Sequence, residues 1–172
     1  MKIMWYVLGI VALLLIIGGF LLIISAEDFG RPIDFTKPVL HDRPNQYLVC
    51  PKDYCADTPH EFSPTYTISA QELRTLFDQA LIPEQRLIKI PQNSDGTTST
   101  YQQSSAFFKF PDRITVKFIA IDKSTSSLAI YSRAKYGRRD FDVNKARVKR
   151  WIKRLDKQVF EHLAKKQSTG QE

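Results

Sequence analysis

The chain has 172 residues, of which 43% are hydrophobic, and 25 Lys and Arg against 18 Asp and Glu give it a net charge of +7. This length suits one domain, and the hydrophobic content outside the apolar N-terminus is enough for a single modest core. The composition argues against a multidomain enzyme, a repeat array and a disordered chain.

The first feature along the chain is a run without charged side chains over residues 4–24. As an α-helix it spans about 31 Å, close to the roughly 30 Å of a bilayer's hydrocarbon core. Trp5 and Tyr6 lie where an interfacial aromatic belt is expected. We therefore predict an uncleaved transmembrane anchor over residues 1–25. The alternative is a cleaved signal peptide, whose apolar part is usually shorter, roughly 7–15 residues.

The orientation of this anchor depends on the basic residues at its two ends. Lys2 and the terminal amine precede the apolar run, and Arg31 and Lys37 follow it, so the positive-inside rule is nearly balanced. We expect the N-terminus inside and the domain outside the cytoplasm, as in a single-pass signal-anchor protein.

Cys50 and Cys55 are the only two cysteines of the chain. A close pair with no cysteine left over suits a short-loop disulfide in an oxidising compartment. Two free thiols and a metal or redox site remain as alternatives. His41 and His60 flank the pair, but their spacings fit no standard zinc pattern. We predict the disulfide, and we predict no metal site and no cofactor.

Behind the anchor we predict three segments of different character. An extended linker covers residues 26–42, a single α+β domain covers residues 43–166, and a disordered tail covers residues 167–172. Residues 43–64 contain four prolines as well as the two cysteines, so the start of the domain is expected to be irregular.

The clearest secondary structure is a helix that starts at Ser69. Ser69 and Glu72 have the spacing of a capping box, in which each side chain accepts a hydrogen bond from the other residue's backbone N–H. Pro83 ends this helix. Between them an apolar stripe runs at helical spacing through Leu73, Leu76, Phe77, Ala80 and Leu81.

Strand patterns and one long helical pattern make up the rest of the domain. A long amphipathic pattern predicts a final helix over residues 143–165. The order β-α-β-β-β-β-α indicates an α+β fold: an antiparallel sheet of four to five strands with two helices on one face, preceded by one transmembrane helix. Short runs rich in Phe, Ile, Val and Tyr predict the strands over residues 65–68, 86–90, 101–110, 113–121 and 127–132.

Aromatic residues of these strands are candidates either for the core or for a ligand cavity between the sheet and the final helix. Core packing is the expected use, because large aromatic side chains contribute most to a small domain when they are buried. The residues concerned are Phe107, Phe108, Phe110, Phe118 and Tyr131.

The positive charge is concentrated in residues 133–157, which hold eleven Lys or Arg against three Asp. We expect the final helix to pack through its apolar stripe and to leave these charges in water. A basic face of this kind also attracts anionic lipid headgroups. We expect no nucleic-acid partner, because a domain outside the cytoplasm has no access to one and because no stacking aromatic residues are interleaved on that face.

The most distinctive stretch is residues 132–147, which read S-R-A-K-Y-G-R-R-D-F-D-V-N-K-A-R. It resembles the signature S-R-S-R-x-G-x-x-D-x-G-x-N-x-x-R of the bacterial and plastid family known as domain of unknown function 1499. This chain departs from that signature at Ala134, Lys135 and Asp142. The resemblance extends over about residues 43–155, and it implies a shared fold and a membrane or extracytoplasmic setting but no activity. The matching positions are Ser132, Arg133, Gly137, Asp140, Asn144 and Arg147.

The physical roles of the signature residues follow from their chemistry. Gly137 permits a positive φ between strand and helix. Asp140 or Asp142 can cap the helix, and Arg133 can pair with one of those carboxylates. Such contacts would hold the loop against the sheet through polar side chains. The alternative is an anion-binding or ligand-binding site built from Arg133, Arg138, Asp140, Asn144 and Arg147 with free helix N–H groups.

The function that these features favour is a non-enzymatic accessory or binding domain on the extracytoplasmic, periplasmic side of a bacterial inner membrane. Its expected partners are the membrane, anionic lipid headgroups or another envelope protein. The alternative is a module that binds a small ligand or a lipid headgroup through the basic strand-to-helix segment. An enzyme is the remote alternative, because the sequence contains no P-loop, Rossmann glycine pattern, nucleophile elbow or zinc-protease motif. We predict no catalytic residues.

Overall fold

The computed structural model describes residues 2–30, 33–91 and 96–170 of the chain, with only the helical backbone for residues 2–3, 19–30 and 169. The chain divides into two units, Met1–Pro32 and Ile33–Glu172. The first unit contains helix α1 (Lys2–Gly30). Among the described residues, no helix combines the length and the apolarity needed to cross a bilayer. Part of the predicted anchor, the side chains after residue 18, lies outside the described residues.

The second unit is built on one mixed sheet. Across the described residues 33–91 and 96–170 the sheet has six strands in the order β2-β1-β6-β5-β4-β3. The pair β1–β2 is parallel, and the other neighbouring pairs are antiparallel. The α+β class is therefore correct, whereas the prediction of a purely antiparallel sheet with four to five strands is wrong. The strands are β1 (Gln46–Cys50), β2 (Glu61–Phe62), β3 (Leu87–Ile90), β4 (Thr98–Ser104), β5 (Pro111–Ala120) and β6 (Ser126–Ala134).

Two strands lie in residues 43–64, which were expected to be irregular. All five residues of β1 are buried between β2 and β6, so its sequence lacks the alternation that marks a half-exposed strand. β2 has only two residues, both exposed. The strand predicted over residues 65–68 is reduced to a single bridge, in which Tyr66 and Ser126 exchange both backbone hydrogen bonds.

The strand predicted over residues 101–110 ends at Ser104 because a turn follows. In this turn the Ser105 N–H donates to the Phe110 carbonyl at 2.9 Å, and the Phe110 N–H donates to Ser105 Oγ at 3.0 Å. The turn leaves Phe107, Phe108 and Phe110 91%, 77% and 48% exposed, so the prediction that they pack in the core is wrong. Phe118 and Tyr131 are buried as expected.

Both domain helices pack on the same face of the sheet, as predicted. Helix α2 (Ala70–Ala80) begins with the predicted capping box, and helix α3 (Val143–Thr169) runs beyond its predicted end at residue 165. The Phe77 ring of α2 meets the Trp151 ring of α3 edge-on, with 6.0 Å between the ring centroids. The core between helices and sheet contains these fully buried residues: Leu73, Phe77, Val116, Ile130, Val148, Trp151 and Leu155.

The opposite face of the sheet is covered by the segment that precedes β1. Phe35 is 3% exposed and packs with Leu48 and Tyr131, and the Val39 N–H donates to Asp57 Oδ2 at 2.5 Å. Residues 33–40, which fall in the predicted linker 26–42, therefore belong to the domain. Their prolines and lack of periodicity conceal this packing, since irregular chain can still bury single apolar side chains.

The disulfide and the C-terminus complete the second unit. The structure joins Cys50, which is fully buried in β1, to Cys55 in a disulfide. Helix α3 continues through residues 167–169 of the predicted tail because its backbone ladder extends to Thr169. The last residues, 171–172, lie outside the described part of the chain.

Candidate functional site

Arg147 is the centre of a buried polar network between α3 and the sheet, and it is 4% exposed. Its Nε donates to Gln103 Oε1 at 2.6 Å. Its Nη1 donates to Ser132 Oγ at 2.9 Å and to Asn144 Oδ1 at 2.6 Å. Its Nη2 donates to Asp112 Oδ2 in a buried ion pair. One guanidinium thus binds side chains from three neighbouring strands and from its own helix.

Asn144, one turn earlier on α3, is fully buried and extends this network to β1. Its Oδ1 accepts hydrogen bonds from Ser132 Oγ at 2.6 Å and from Arg147. Its Nδ2 donates to the Asn45 carbonyl at 3.1 Å and to Asp140 Oδ2 at 2.7 Å. Because the amide uses both its donor and its acceptor groups, it fixes the start of α3 against the edge of β1.

The loop between β6 and α3 has the backbone shape that its sequence predicts. Gly137 has φ +83°, and its carbonyl accepts a hydrogen bond from Asn45 Nδ2 at 2.7 Å. Asp140 caps α3, because its Oδ2 accepts the Asn144 N–H at 2.8 Å. Within the described hydrogen bonds, the Asp142 side chain does not cap the helix. Asp142 has φ +63°, a backbone conformation that glycine adopts at lower cost. The signature that residues 132–147 resemble has Gly at this position.

The network contains one buried ion pair, between Asp112 and Arg147, among the described residues. The side chains of Asp112 and Arg147 are 13% and 5% exposed. Burial raises the pKa of Asp112, and the Arg147 charge and hydrogen bond only partly oppose this rise. The pair is therefore costly to separate, since each partner would remain in a poorly solvated environment without its counter-charge.

Arg133 lies on the other face of the sheet. Successive side chains of a strand point to opposite faces, so Ser132 meets Asn144 on the helix side while Arg133 points away from α3. Arg133 lies near Tyr131, where its charge opposes the burial that raises the pKa of Tyr131 to about 12. Asp112 is the carboxylate that pairs with Arg147 in the buried network.

The five residues proposed for an anion site therefore do not form one cluster. The structure brings Asp140, Asn144 and Arg147 together, places Arg133 on the opposite face and leaves Arg138 exposed in the loop. Most N–H groups of Arg147 and the capped N–H of Asn144 already donate to protein oxygens. The network is arranged to hold loop, helix and sheet together, and its signature residues contact one another.

A second ionic cluster, which the sequence analysis missed, lies beside the first. Glu84 is held at its carboxylate by Arg150 Nε at 2.9 Å and by Arg154 Nη1 at 2.6 Å. Gln103 links the two clusters, because its Nε2 donates to Glu84 at 2.8 Å while its Oε1 accepts from Arg147. Burial alone would raise the pKa of Glu84, but the hydrogen bonds from Arg150 and Gln103 and the Arg150 charge lower it to about 2.

These contacts correct the expectation that the basic face of α3 is simply solvated. Arg150 and Arg154 pair with Glu84, whose side chain is 5% exposed. Lys149 pairs with Glu61 Oε2 at 3.2 Å. A substantial part of the positive charge of α3 is thus paired with carboxylates of the same domain.

A small cleft lies beside the network, with a volume of about 210 Å³. Burial and then the Glu61 carboxylate raise the pKa of Tyr47 to about 12, and the Tyr47 hydroxyl donates to Glu61 at 2.7 Å. The Leu48 N–H donates to His60 Nδ1 at 3.1 Å, so a neutral His60 carries its proton on Nε2. The cleft is lined by Pro44, Gln46, Tyr47, His60, Asp140, Asp142 and Lys145. In the described part of the chain, no three His, Cys, Asp or Glu side chains are grouped to hold a metal ion.

Comparison with known proteins gave one family. The family model described as protein of unknown function (DUF1499) matches residues 39–155, a range that contains the disulfide, the Arg147 network and the cleft. Neither a curated protein nor a solved structure matches the chain.

Proposed function

Since this chain belongs to the DUF1499 family of proteins of unknown function, we propose that it is a membrane-anchored binding domain without enzymatic activity. α1 is the anchor, and the unit Ile33–Glu172 is the domain, displayed on the periplasmic side of a bacterial inner membrane. Its partners are the membrane surface, anionic lipid headgroups or another envelope protein.

The observation that carries this proposal is the apolar surface of α1. Large apolar side chains of its described part are exposed on all sides, for example Trp5 at 67%, Leu15 at 72% and Ile16 at 68%. Removing each such side chain from water is worth about 1.5–3 kcal/mol. Residues 4–24 carry no charge that would oppose burial in hydrocarbon. A helix that is apolar all round is stable when a membrane surrounds it.

Two further features support the domain's setting and its lack of catalysis. A disulfide between Cys50 and Cys55 suits an oxidising compartment, which favours display outside the cytoplasm. The buried signature residues Asn144 and Arg147 bind protein groups, so they support the fold rather than a reaction. A substrate would have to displace these hydrogen bonds to reach them.

Substitution at the centre of the apolar run tests the anchor. An Arg near the middle of a span costs about 2.5–3.5 kcal/mol on insertion scales, so Leu14→Arg is expected to release a large fraction of the protein on alkaline carbonate extraction of membranes. Leu14→Ala is the matched control and stays in the membrane pellet. Wild-type protein that is released by carbonate as easily as Leu14→Arg would contradict the anchor.

Thiol labelling in intact cells tests the compartment. An impermeant maleimide is expected to label Cys55 of a Cys50→Ser variant without permeabilisation, and to label the wild type only after reduction. If labelling of Cys50→Ser requires permeabilisation, the domain lies on the cytoplasmic side and the proposed display is wrong.

The cleft beside the network favours one alternative function, a module that binds a small polar ligand. Its lining offers an N–H donor in His60, a cation in Lys145 and carboxylates in Asp140 and Asp142. Native mass spectrometry of the full chain extracted in mild detergent would detect a bound small molecule. Loss of that molecule in Lys145→Gln, with retention in the control Lys153→Gln, would support this function, and a ligand-free wild type would remove it.

A further inference from the structure

Three aromatic rings in contact, together with a fourth ring in the same turn, form an exposed patch at one end of the sheet. We call this patch, made of Phe107, Phe108, Phe110 and Tyr136, the aromatic tip. The four side chains are 91%, 77%, 48% and 40% exposed. The rings of Phe108 and Phe110 stack with centroids 5.4 Å apart, and the Phe110 and Tyr136 centroids are 5.3 Å apart. Single exposed apolar side chains are common on soluble surfaces, but a contiguous exposed group marks an interaction site.

The backbone around the aromatic tip is held by hydrogen bonds. Ser105 and Phe110 close the turn between β4 and β5 with two hydrogen bonds. The Lys135 N–H donates to the Pro111 carbonyl at 3.2 Å, which fixes the segment after β6 against this turn. Lys109 has φ +55°, so the turn reverses the chain within the aromatic run. The exposure of the rings is thus a property of an ordered turn.

The charges around the aromatic tip all have one sign. Lys109, Lys135, Arg138 and Arg139 lie within residues 105–111 and 135–139, and these two segments contain no Asp or Glu. The Lys135 ammonium lies 5.3 Å from the centre of the Tyr136 ring. Asp112 and Asp140, the next carboxylates along the chain, bind Arg147 and Asn144 in the buried network. The two segments of the tip therefore combine four aromatic rings with an excess of positive charge, and the two nearby carboxylates are engaged in the buried network.

We propose that the aromatic tip docks into the headgroup boundary of an anionic bilayer, with its rings among the upper acyl chains and its cations at the lipid phosphates. Aromatic rings favour this boundary, and each nearby Lys or Arg raises partitioning onto an anionic surface by about fivefold. The occupant is a lipid surface because the cations around the rings complement lipid phosphates.

This inference rests on the proposed function, since an anchored domain is held close to a bilayer. Residues 26–32 are the seven residues between the predicted anchor and Ile33; they reach at most about 25 Å even when fully extended, and less because α1 continues to Gly30. At that tether length the local lipid concentration is high, so weak contacts of a single turn are sufficient for docking.

Environment-sensitive labels on the full-length chain test the tip. Phe107→Cys carries an NBD label in the tip, where the native side chain is 91% exposed. Phe160→Cys carries the label at an aromatic position of α3 that is 74% exposed, and Ala12→Cys carries it in α1. The three proteins are reconstituted into vesicles of phosphatidylcholine alone and of phosphatidylcholine with phosphatidylglycerol. The label at position 107 is expected to become blue-shifted and brighter in the anionic vesicles only. The label at position 160 is expected to remain aqueous in both.

A charge variant separates lipid docking from nonspecific contact. Lys109→Gln with Lys135→Gln removes two cations and is expected to weaken docking of the position-107 label by about 25-fold, or fivefold per charge. An aqueous label at position 107 in anionic vesicles, or equal shifts at positions 107 and 160, would overturn the inference. The label at position 12 reports the anchor separately, so an aqueous signal there contradicts the proposed function while position 107 still reports on the tip.

Discussion

Replacing Arg147 with methionine is expected to cost about 4 kcal/mol of unfolding free energy. Methionine keeps the unbranched apolar stem of the side chain but leaves Asp112 buried without its counter-charge, which costs about 3–5 kcal/mol in comparable pairs. Gln103 Oε1 also loses its donor, while Asn144 Oδ1 keeps the hydrogen bond from Ser132. Small domains have about 5–15 kcal/mol in total, so the variant should fold but unfold at much lower denaturant.

Urea unfolding of the full chain in detergent measures this change through Trp151, which is fully buried in the core. A Trp5→Phe background removes the signal of the other tryptophan. Arg138→Met is the matched control, and because Arg138 is exposed its change should stay within about 0.5 kcal/mol. An Arg147→Met cost below about 1 kcal/mol would refute the view that this guanidinium holds loop, helix and sheet together.

A double-mutant cycle tests the ion pair itself. Asp112→Leu alone leaves Arg147 as the unpaired buried charge, whereas Asp112→Leu with Arg147→Met removes both charges. Replacing both partners of a buried pair is often nearly neutral, so the double variant is expected to be more stable than the sum of the single losses predicts, by about 2 kcal/mol. Strict additivity of the two single costs would show that the pair is not coupled.

Three further predictions concern stability. Glu84 has a pKa of about 2 in the fold against 4.5 ordinarily, so its stabilisation is present above pH 4.5 and is lost as the pH falls towards 2. Between pH 6 and pH 3 the Glu84 shift alone corresponds to a loss of about 2 kcal/mol of unfolding free energy, and screening at the partly exposed Arg150 and Arg154 reduces the expected loss to about 1 kcal/mol. Urea unfolding of Glu84→Gln at the two pH values should show a pH dependence that is smaller than that of the wild type by this amount. Reduction of the disulfide, or Cys55→Ser, should lower stability by about 2 kcal/mol in the chain-entropy model, and no change in urea midpoint after reduction would contradict it. Ser69→Ala should cost about 1 kcal/mol through the lost capping box, whereas Thr75→Ala on the exposed side of the same helix should cost less in thermal unfolding.

The helices could be predicted from the sequence because their signals are local. Ser69 and Glu72 are three residues apart and bind each other, so a short window of sequence contains the whole start signal of α2. β1 gave no comparable signal, because burial of all five of its residues removes the alternation of a strand and prolines flank it at positions 44 and 51. Its assignment depends on strand β6, which lies about 85 residues later.

The candidate site was predicted in part, because its local contacts have a signal in the sequence and its long-range contacts do not. Asp140, Asn144 and Arg147 lie within two turns of one another, and their contacts follow from helical spacing. Asp112 and Gln103 reach Arg147 from 35 and 44 residues away, and no local spacing in the sequence links either of them to it. For Arg133 a signal did exist, since neighbours on a strand point to opposite faces and so Ser132 and Arg133 could not both face the final helix.

The position of β1 has a consequence for biosynthesis. β1 pairs with β6 through Gln46–Arg133 to Val49–Ile130, although the chain makes β1 first and β6 some 80 residues later. A nascent polypeptide therefore cannot complete its sheet until β6 has been made, and it cannot close its core until Trp151 follows. Until then the apolar residues of β1 have no strand to pair with, so this is the interval in which chaperones and proteases can bind the incomplete domain.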